Sequence, residues 1–140
     1  AHWLGMGAKA DPAKLPRIYC VNWFRKDERG KFVWPGYGEN ARVLKWIVDR
    51  LEGRAEAVDT AIGLLPAPGS LDVSGLNLTQ AQLDLLMTVD ADIWRQEAAL
   101  VPAFYERFGD HLPAALWAEL ETLVARLGAP VRKTAMAAAE

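Results

Sequence analysis

The residues with the clearest chemical potential in this chain lie within the stretch NWFRKDERGKFVWPGYGEN, residues 22–40. It combines five aromatic rings and three glycines with many charged side chains, which fits neither a buried core nor a solvated loop. Aromatic faces can stack on a planar base, and glycines let the backbone approach a ligand closely. The composition is therefore typical of a slot for a planar ligand.

Three rings of this stretch would meet if it folded as a hairpin. Phe24 would end one strand, Phe32 would lie in the next, and Tyr37 would sit on the following loop. The amide of Asn40 could then distinguish one purine edge from another, because it offers both donors and an acceptor. The alternative is structural: the rings pack against a helix, and Asn40 only caps that helix. Spacing alone favours the structural alternative.

Other chemistry is not visible in the residues. His2 and His111 have no partners at zinc-ligand spacing, and His111 fits a surface turn between helices. Neither a phosphate loop nor a dinucleotide fingerprint occurs in the sequence. Cys20 falls in an apolar run, where we expect an inert, buried thiol. We therefore predict no catalytic residue and no metal ligand in this chain.

Composition places the chain among globular proteins of one ordinary domain. It has 140 residues, of which 51% are hydrophobic and 24% charged, and a net charge of −2. That charge argues against nucleic-acid binding through a broad basic surface but leaves a local basic site open. No apolar run is long enough to predict a membrane span. A single cysteine cannot form an internal disulfide, which fits a reducing compartment. The chain begins without methionine, as though inside an element, and we expect a fragment of a longer protein.

The order of elements predicts a mixed α/β (α+β) domain, with short strands and an aromatic hairpin before a largely helical half. Asn40 can start one helix, and Thr79 and Asp90 are good N-caps for two more. Pro113 fits the first turn of the last helix. The strands are predicted over residues 17–24, 31–34 and 57–65, and the helices over residues 40–51, 80–88, 90–108 and 113–128.

The sequence AKLPRIYCVNWFRKDERGKFVWPGYGENARVLKWIVDRLEG closely resembles the C-terminal part of GTP-dependent phosphoenolpyruvate carboxykinases. HWLGM before it and TAIGLLPAPGSLDVSGL after it are also similar to that family. The likeness is clear over residues 1–76. It implies a C-terminal portion of a larger nucleotide-binding domain. Residues 1–76 would form the guanine-pocket segment, 77–128 a helical tail and 129–140 a frayed end.

The resemblance implies a cytoplasmic lyase that converts oxaloacetate and GTP to phosphoenolpyruvate, GDP and carbon dioxide in gluconeogenesis. The divalent metal, Mn²⁺ or Mg²⁺, would be bound upstream, with the phosphate loop and the oxaloacetate site. The isolated chain should therefore be inactive, because phosphoryl transfer needs a phosphate cradle and a metal. The full-length protein is expected to be a monomer without a nucleic-acid or membrane partner. The fragment can self-associate through its exposed former interface.

The resemblance also implies which residues hold the guanine base. The family's aromatic pocket corresponds to Phe24, Phe32 and Tyr37, although phenylalanine is commoner at the last position. The guanine-contacting asparagine corresponds to Asn40. The backbone of residues 38 and 39, Gly38 and Glu39, belongs to the same nucleotide-binding stretch. ATP-using carboxykinases lack this segment, which favours GTP and GDP as ligands.

Two other classes of function remain open from the sequence. One is a stand-alone nucleotide- or RNA-binding module, although no basic track for a phosphate backbone is present. The other is a helical domain that mediates assembly through the apolar residues of its tail, Leu83, Leu86, Met87, Ile93 and Trp94.

Overall fold

The computed structural model describes residues 1–128; the end predicted to fray, residues 129–140, lies outside the described residues. Within them, five α-helices accompany one two-stranded sheet, so the predicted mixed α/β class is confirmed. The helices are α1 (His2–Lys9), α2 (Asn40–Leu51), α3 (Gln80–Met87), α4 (Ala91–Tyr105) and α5 (Ala114–Leu127). The strands are β1 (Ala57–Thr60) and β2 (Gly63–Pro66). Short 3-10 turns cover Pro12–Lys14, Tyr37–Glu39 and Glu106–His111.

The strand predicted over residues 17–24 is wrong. This stretch has no regular secondary structure, and Ile18 is 90% exposed. β-branched and aromatic residues favour an extended backbone, but a strand also needs a neighbouring backbone to pair with. None pairs with this stretch in the part of the chain that the structure describes. Cys20 is exposed, so the prediction of a buried thiol is also wrong.

The aromatic hairpin is reduced to a tight turn with one antiparallel bridge, Lys26 to Phe32. Asp27 organises the turn, because its Oδ1 accepts the backbone N–H groups of Arg29 and Lys31, both at 2.9 Å. Gly30 follows with φ of 75°, a conformation that glycine adopts without strain. The chain bends directly after the bridge, so the strand predicted over residues 31–34 is wrong.

The single strand predicted over residues 57–65 is instead the hairpin of β1 and β2. Ala57 pairs with Pro66 and Thr60 with Gly63, which leaves Ala61 and Ile62 as the loop. Gly63 has φ of 120°, which only glycine adopts readily. The run is apolar almost throughout, so its turn gives no polar signal in the sequence.

The four predicted helices all form, close to their predicted bounds. Thr79 and Gln82 make a capping box at the start of α3, and Asp90 accepts two backbone N–H groups at the start of α4. The helix predicted to reach residue 108 ends at Tyr105 and continues as the 3-10 turn that contains His111. His111 is exposed there, as predicted. No helix among residues 1–128 combines the length and apolarity needed to cross a membrane.

The helical spacing of Val43, Leu44, Ile47, Val48 and Leu51 predicts that these residues form a buried stripe on α2, and the buried face differs from that prediction. Val43 and Ile47 are partly buried, but Trp46 is the residue enclosed between them, at 5% exposure. The other three members of the stripe, Leu44, Val48 and Leu51, are exposed. Positions 43, 46 and 47 lie on one side of a helix, and this side of α2 faces the core.

The main core lies directly behind the aromatic segment. Its buried residues are Trp34, Trp46, Ala55 and Leu71. Leu86 and Met87 of α3 pack against it. These two side chains are therefore already used within the chain, which weakens the case for a helical assembly surface. Only Ile93 and Trp94 of that predicted surface are markedly exposed, at 57% and 36%.

Helices α4 and α5 pack on each other and are tied back to the hairpin. Arg95 of α4 donates to the backbone oxygen of Leu127 at 2.9 Å. Arg126 of α5 forms an ion pair with Asp59 and also donates to the backbone oxygen of Thr60. Helix α5 thus supports the β1–β2 hairpin.

Candidate functional site

The candidate site is an open pocket of about 810 Å³ between the aromatic segment and the start of α3. Four of the six predicted site residues line it: Phe24, Phe32, Tyr37 and Asn40. The pocket is therefore lined by two parts of the chain, residues 23–40 and residues 77–82. The floor is the core behind it, because buried Trp34 also lines the pocket.

Phe24 and Phe32 form an edge-to-face pair at one side of the pocket. Their ring centroids are 5.8 Å apart and their planes meet at 63°. Both rings remain largely accessible, at 70% and 53% exposure. The ammonium of Lys26 lies 5.1 Å from the centre of the Phe32 ring. The pair therefore presents accessible aromatic surface to the pocket.

Tyr37 stands at the opposite end of the segment, in the 3-10 turn before α2. Its side chain is 92% exposed. Gly36 precedes it with φ of 123° and ψ of −168°, a backbone conformation that a side chain would strain. This glycine lies in the bend between Pro35 and Tyr37, and all three residues line the pocket.

Gly38 and Glu39 do not line the pocket. The backbone N–H of Glu39 donates to Gly36 at 3.1 Å, and its carboxylate accepts from Arg42 at 2.6 Å. Arg42 reaches on to the backbone oxygen of Asp72 at 3.3 Å. The structure thus uses Glu39 to hold the start of α2 in place, and leaves open space beside the α-carbon of Gly38.

Asn40 is placed by a hydrogen bond and does not act as a helix cap. Its Oδ1 accepts the indole N–H of Trp34 at 2.9 Å. The residue at the N-cap position is Glu39, which makes no side-chain capping bond. The interpretation of Asn40 as a cap is therefore wrong, and its amide is instead part of the pocket wall.

Sequence reasoning missed three pocket residues that follow the hairpin: Asn77, Leu78 and Gln82. Arg25 helps to bring them close, because it donates to the backbone oxygen of Thr88 at the end of α3 at 2.9 Å. The spacing of Thr79 and Gln82 signals a capping box. No sequence signal places that capping box against the aromatic segment, about 40 to 60 positions earlier, because the contact is purely tertiary.

Two carboxyl groups outside the pocket have perturbed acidities. Hydrogen bonds from Lys45 and Arg54, at 2.5 and 2.8 Å, hold the pKa of Asp49 below its usual value. The pKa of Asp72 is lowered chiefly by hydrogen bonds from Ser74. Both groups are at the surface, so neither has the raised pKa of a buried general acid.

No metal centre can be assembled from the described residues. Among residues 1–128, no three or more histidine, cysteine, aspartate or glutamate side chains are grouped so as to hold an ion. The pocket therefore offers aromatic surface, the side-chain amides of Asn40, Asn77 and Gln82, and the ammonium group of Lys31, while that of Lys26 lies beside the Phe32 ring. Aromatic faces and side-chain amides are groups suited to stacking on, and hydrogen bonding to, a planar polar molecule.

Comparison with known proteins gives a consistent picture. Residues 1–126 match the family model described as the phosphoenolpyruvate carboxykinase C-terminal P-loop domain. The chain is 49% identical over 127 residues to phosphoenolpyruvate carboxykinase [GTP] of Paenarthrobacter aurescens. It is 50% identical over 129 residues to the protein of that name from Neocallimastix frontalis, and 46% over 128 residues to that of Treponema pallidum. Each alignment covers 91% of this chain but 21% of the relative, so the chain spans about a fifth of their length.

Proposed function

The chain belongs to the family of GTP-dependent phosphoenolpyruvate carboxykinases, as the sequence resemblance predicted, and we propose that it forms the guanine-binding part of such an enzyme. The whole protein would convert oxaloacetate and GTP to phosphoenolpyruvate, GDP and carbon dioxide, a step of gluconeogenesis. In this proposal the pocket beside the aromatic segment holds the base.

One observation carries the proposal: Phe24, Phe32, Tyr37 and Asn40 line a single pocket. Three accessible aromatic rings give a base a stacking surface, and stacking contributes about 1–3 kcal/mol per base. Asn40 adds a polar group that can select among bases. Glu39 and Gly38 would act through the backbone that leads into α2, and through the Glu39–Arg42 ion pair that steadies it.

The rest of the reaction is assigned to parts of the protein outside this chain. Phosphoryl transfer needs a phosphate cradle and a metal that neutralises developing charge. The described residues do not fit a Mn²⁺ or Mg²⁺ site. We also propose that the whole protein is a monomer and is located in the cytoplasm. An exposed free thiol, Cys20, is compatible with a reducing compartment.

A titration with GDP and ADP tests the proposal in the complete natural protein. Trp23 and Trp34 line the pocket, so bound base should change their fluorescence. We expect saturable quenching by GDP and a much weaker response to ADP. The variant Tyr37→Ala should bind GDP less tightly and remain folded, because that ring is 92% exposed. Equal affinity for the two nucleotides, or an unchanged GDP affinity in Tyr37→Ala, would place the base elsewhere.

A further inference from the structure

The amide of Asn40 is held in one orientation by a buried partner. The indole N–H of Trp34 lies 2.9 Å from Asn40 Oδ1, and Trp34 is 6% exposed. An indole nitrogen can only donate, so the atom that faces it must be the amide oxygen. Turning the amide by 180° would place its NH₂ group against the indole N–H and leave two donors facing each other.

The indole itself has little freedom to follow the amide. Trp34 belongs to the buried core together with Trp46, Ala55 and Leu71. The ring of Trp23 lies 6.4 Å away and packs beside it. Because side chains in a packed core occupy single rotamers, the position of the donor is set by the core and not by a ligand.

The orientation decides what Asn40 can offer to a base. With its oxygen committed to Trp34, the amide has its NH₂ group free, and Nδ2 makes no hydrogen bond within residues 1–128. A free donor suits the 6-oxo group of guanine, which accepts. It does not suit the 6-amino group of adenine, which donates. At the 6-position, the opposite orientation would present an oxygen, which suits the 6-amino group of adenine and not the 6-oxo group of guanine.

We propose that Trp34 is a specificity-positioning residue, which selects a 6-oxopurine by fixing the NH₂ side of the Asn40 amide towards the pocket. This inference rests on the proposed function, because it assumes that the pocket holds a base. It adds a residue that need not touch the nucleotide in order to act on base choice.

The chain contains a matched control in Trp46. It is 5% exposed, lies in the same core cluster, and donates its indole N–H to Ser70 Oγ at 3.0 Å. It does not line the pocket. Trp34→Phe and Trp46→Phe therefore each remove one indole hydrogen bond from the same core. Only the first releases Asn40.

The test is calorimetric titration of the complete natural protein and both variants with GDP, IDP and ADP. Calorimetry is preferable to fluorescence because each variant loses a tryptophan. Trp34→Phe should lower the preference for GDP over ADP roughly 3- to 10-fold, the equivalent of one hydrogen bond. IDP shares the 6-oxo group and lacks the 2-amino group. The preference of the protein for IDP over ADP should therefore fall by the same factor as its preference for GDP over ADP. Trp46→Phe should have the same preference for GDP over ADP as the unmodified protein, to within about twofold.

The outcomes separate this inference from the proposed function. If the unmodified protein does not prefer GDP to ADP, the proposed function fails. If it does, and Trp34→Phe retains the preference as well as Trp46→Phe, the positioning role of Trp34 is overturned.

If Trp34→Phe does not fold, the variant Asn40→Asp tests the same inference. An aspartate can still accept from the indole with one oxygen, but it then turns a second acceptor towards the pocket. The preference should shift from GDP towards ADP. An unchanged preference in folded Asn40→Asp would contradict the inference.

Discussion

Side-chain exposure separates the pocket residues into two groups with different consequences for mutation. The rings of Phe24 and Phe32 keep 70% and 53% of their surface accessible, whereas Trp34 keeps 6%. An exposed ring contributes little buried area to folding, so most of its surface remains available to a ligand. A buried ring stabilises the fold and influences the pocket indirectly.

Replacing Phe32 with alanine should weaken binding far more than it weakens the fold. Loss of one stacking face should cost about 1–3 kcal/mol of GDP affinity. The midpoint of chemical unfolding should change little, because about half of the ring is already in solvent. Titration calorimetry and urea unfolding of the complete natural protein measure the two effects separately.

Phe104 provides the control for that experiment. It lies on α4, away from the pocket, and is 52% exposed, nearly the same as Phe32. Phe104→Ala should leave GDP affinity unchanged. Equal losses of affinity in the two variants would show that the effect of Phe32 is a general one and not stacking.

The start of α3 is the element whose stability bears most directly on the pocket. Thr79 accepts the backbone N–H of Gln82, and the Gln82 side chain accepts the backbone N–H of Thr79 at 2.9 Å. Gln82 also lines the pocket. The same residue thus closes the capping box and faces the ligand space.

Thr79→Ala should lower the free energy of unfolding by about 0.5–2 kcal/mol, the usual effect of removing an N-cap. Thr122 is a suitable control, because its hydroxyl donates to Ala118 within α5 and caps no helix end. Thr122→Ala should change stability by a smaller amount, since alanine is the better helix former. Equal effects in urea unfolding would contradict the capping role.

Helix α2 should carry a pH-dependent contribution through Asp49. Lys45 and Arg54 lower its folded-state pKa below 3.8, the value expected without these partners. A lowered pKa stabilises the folded state above the unfolded pKa, and this contribution disappears as the pH falls through the folded pKa. Asp49→Asn should therefore reduce the free energy of unfolding at neutral pH. Below pH 4, the free energy of unfolding of this variant should depend less on pH than that of the unmodified protein.

The same assignment can be checked without unfolding the protein. Lys45→Met removes the strongest partner, so the Asp49 pKa should rise in an NMR titration of the carboxyl group. A pKa that does not move would mean that Lys45 spends little time at the carboxylate in solution, as is common for exposed ion pairs.

The accuracy of prediction from sequence differed between helices and strands for physical reasons. Helix ends carry local signals: Thr79 and Asp90 are N-caps as predicted, and Pro113, predicted in the first turn of α5, lies one residue before that helix. Strands depend on a partner that the local sequence does not specify, which is why residues 17–24 were assigned wrongly. The rings of the pocket are close in sequence and could be foreseen, whereas the Trp34–Asn40 bond depends on where the core places both side chains.

Many large apolar side chains of this chain are exposed, and few are buried in its core. Trp3 is 83% exposed, Ile18 90% and Leu100 67%. The chain also spans about a fifth of the length of its relatives. Surfaces of this kind commonly mark contacts with other protein segments.

The isolated 140 residues should therefore show no decarboxylation or phosphoryl exchange with oxaloacetate and GTP. They contain no phosphate loop, and no metal site is present among the described residues. The assay needs a full-length relative as positive control. Measurable turnover by the isolated segment would refute the proposal that the phosphate and metal sites lie in other parts of the protein.

The double role of Gln82 couples the pocket to backbone opening. Its side-chain oxygen is engaged by Thr79, while the side chain also borders the ligand space. Any molecule that immobilises Gln82 also favours the closed first turn of α3. Bound GDP should then slow amide hydrogen–deuterium exchange at residues 82 and 83, whose N–H groups bond to Thr79. Exchange there would report occupancy of the pocket through the start of a helix, even if no ring of the aromatic segment moved.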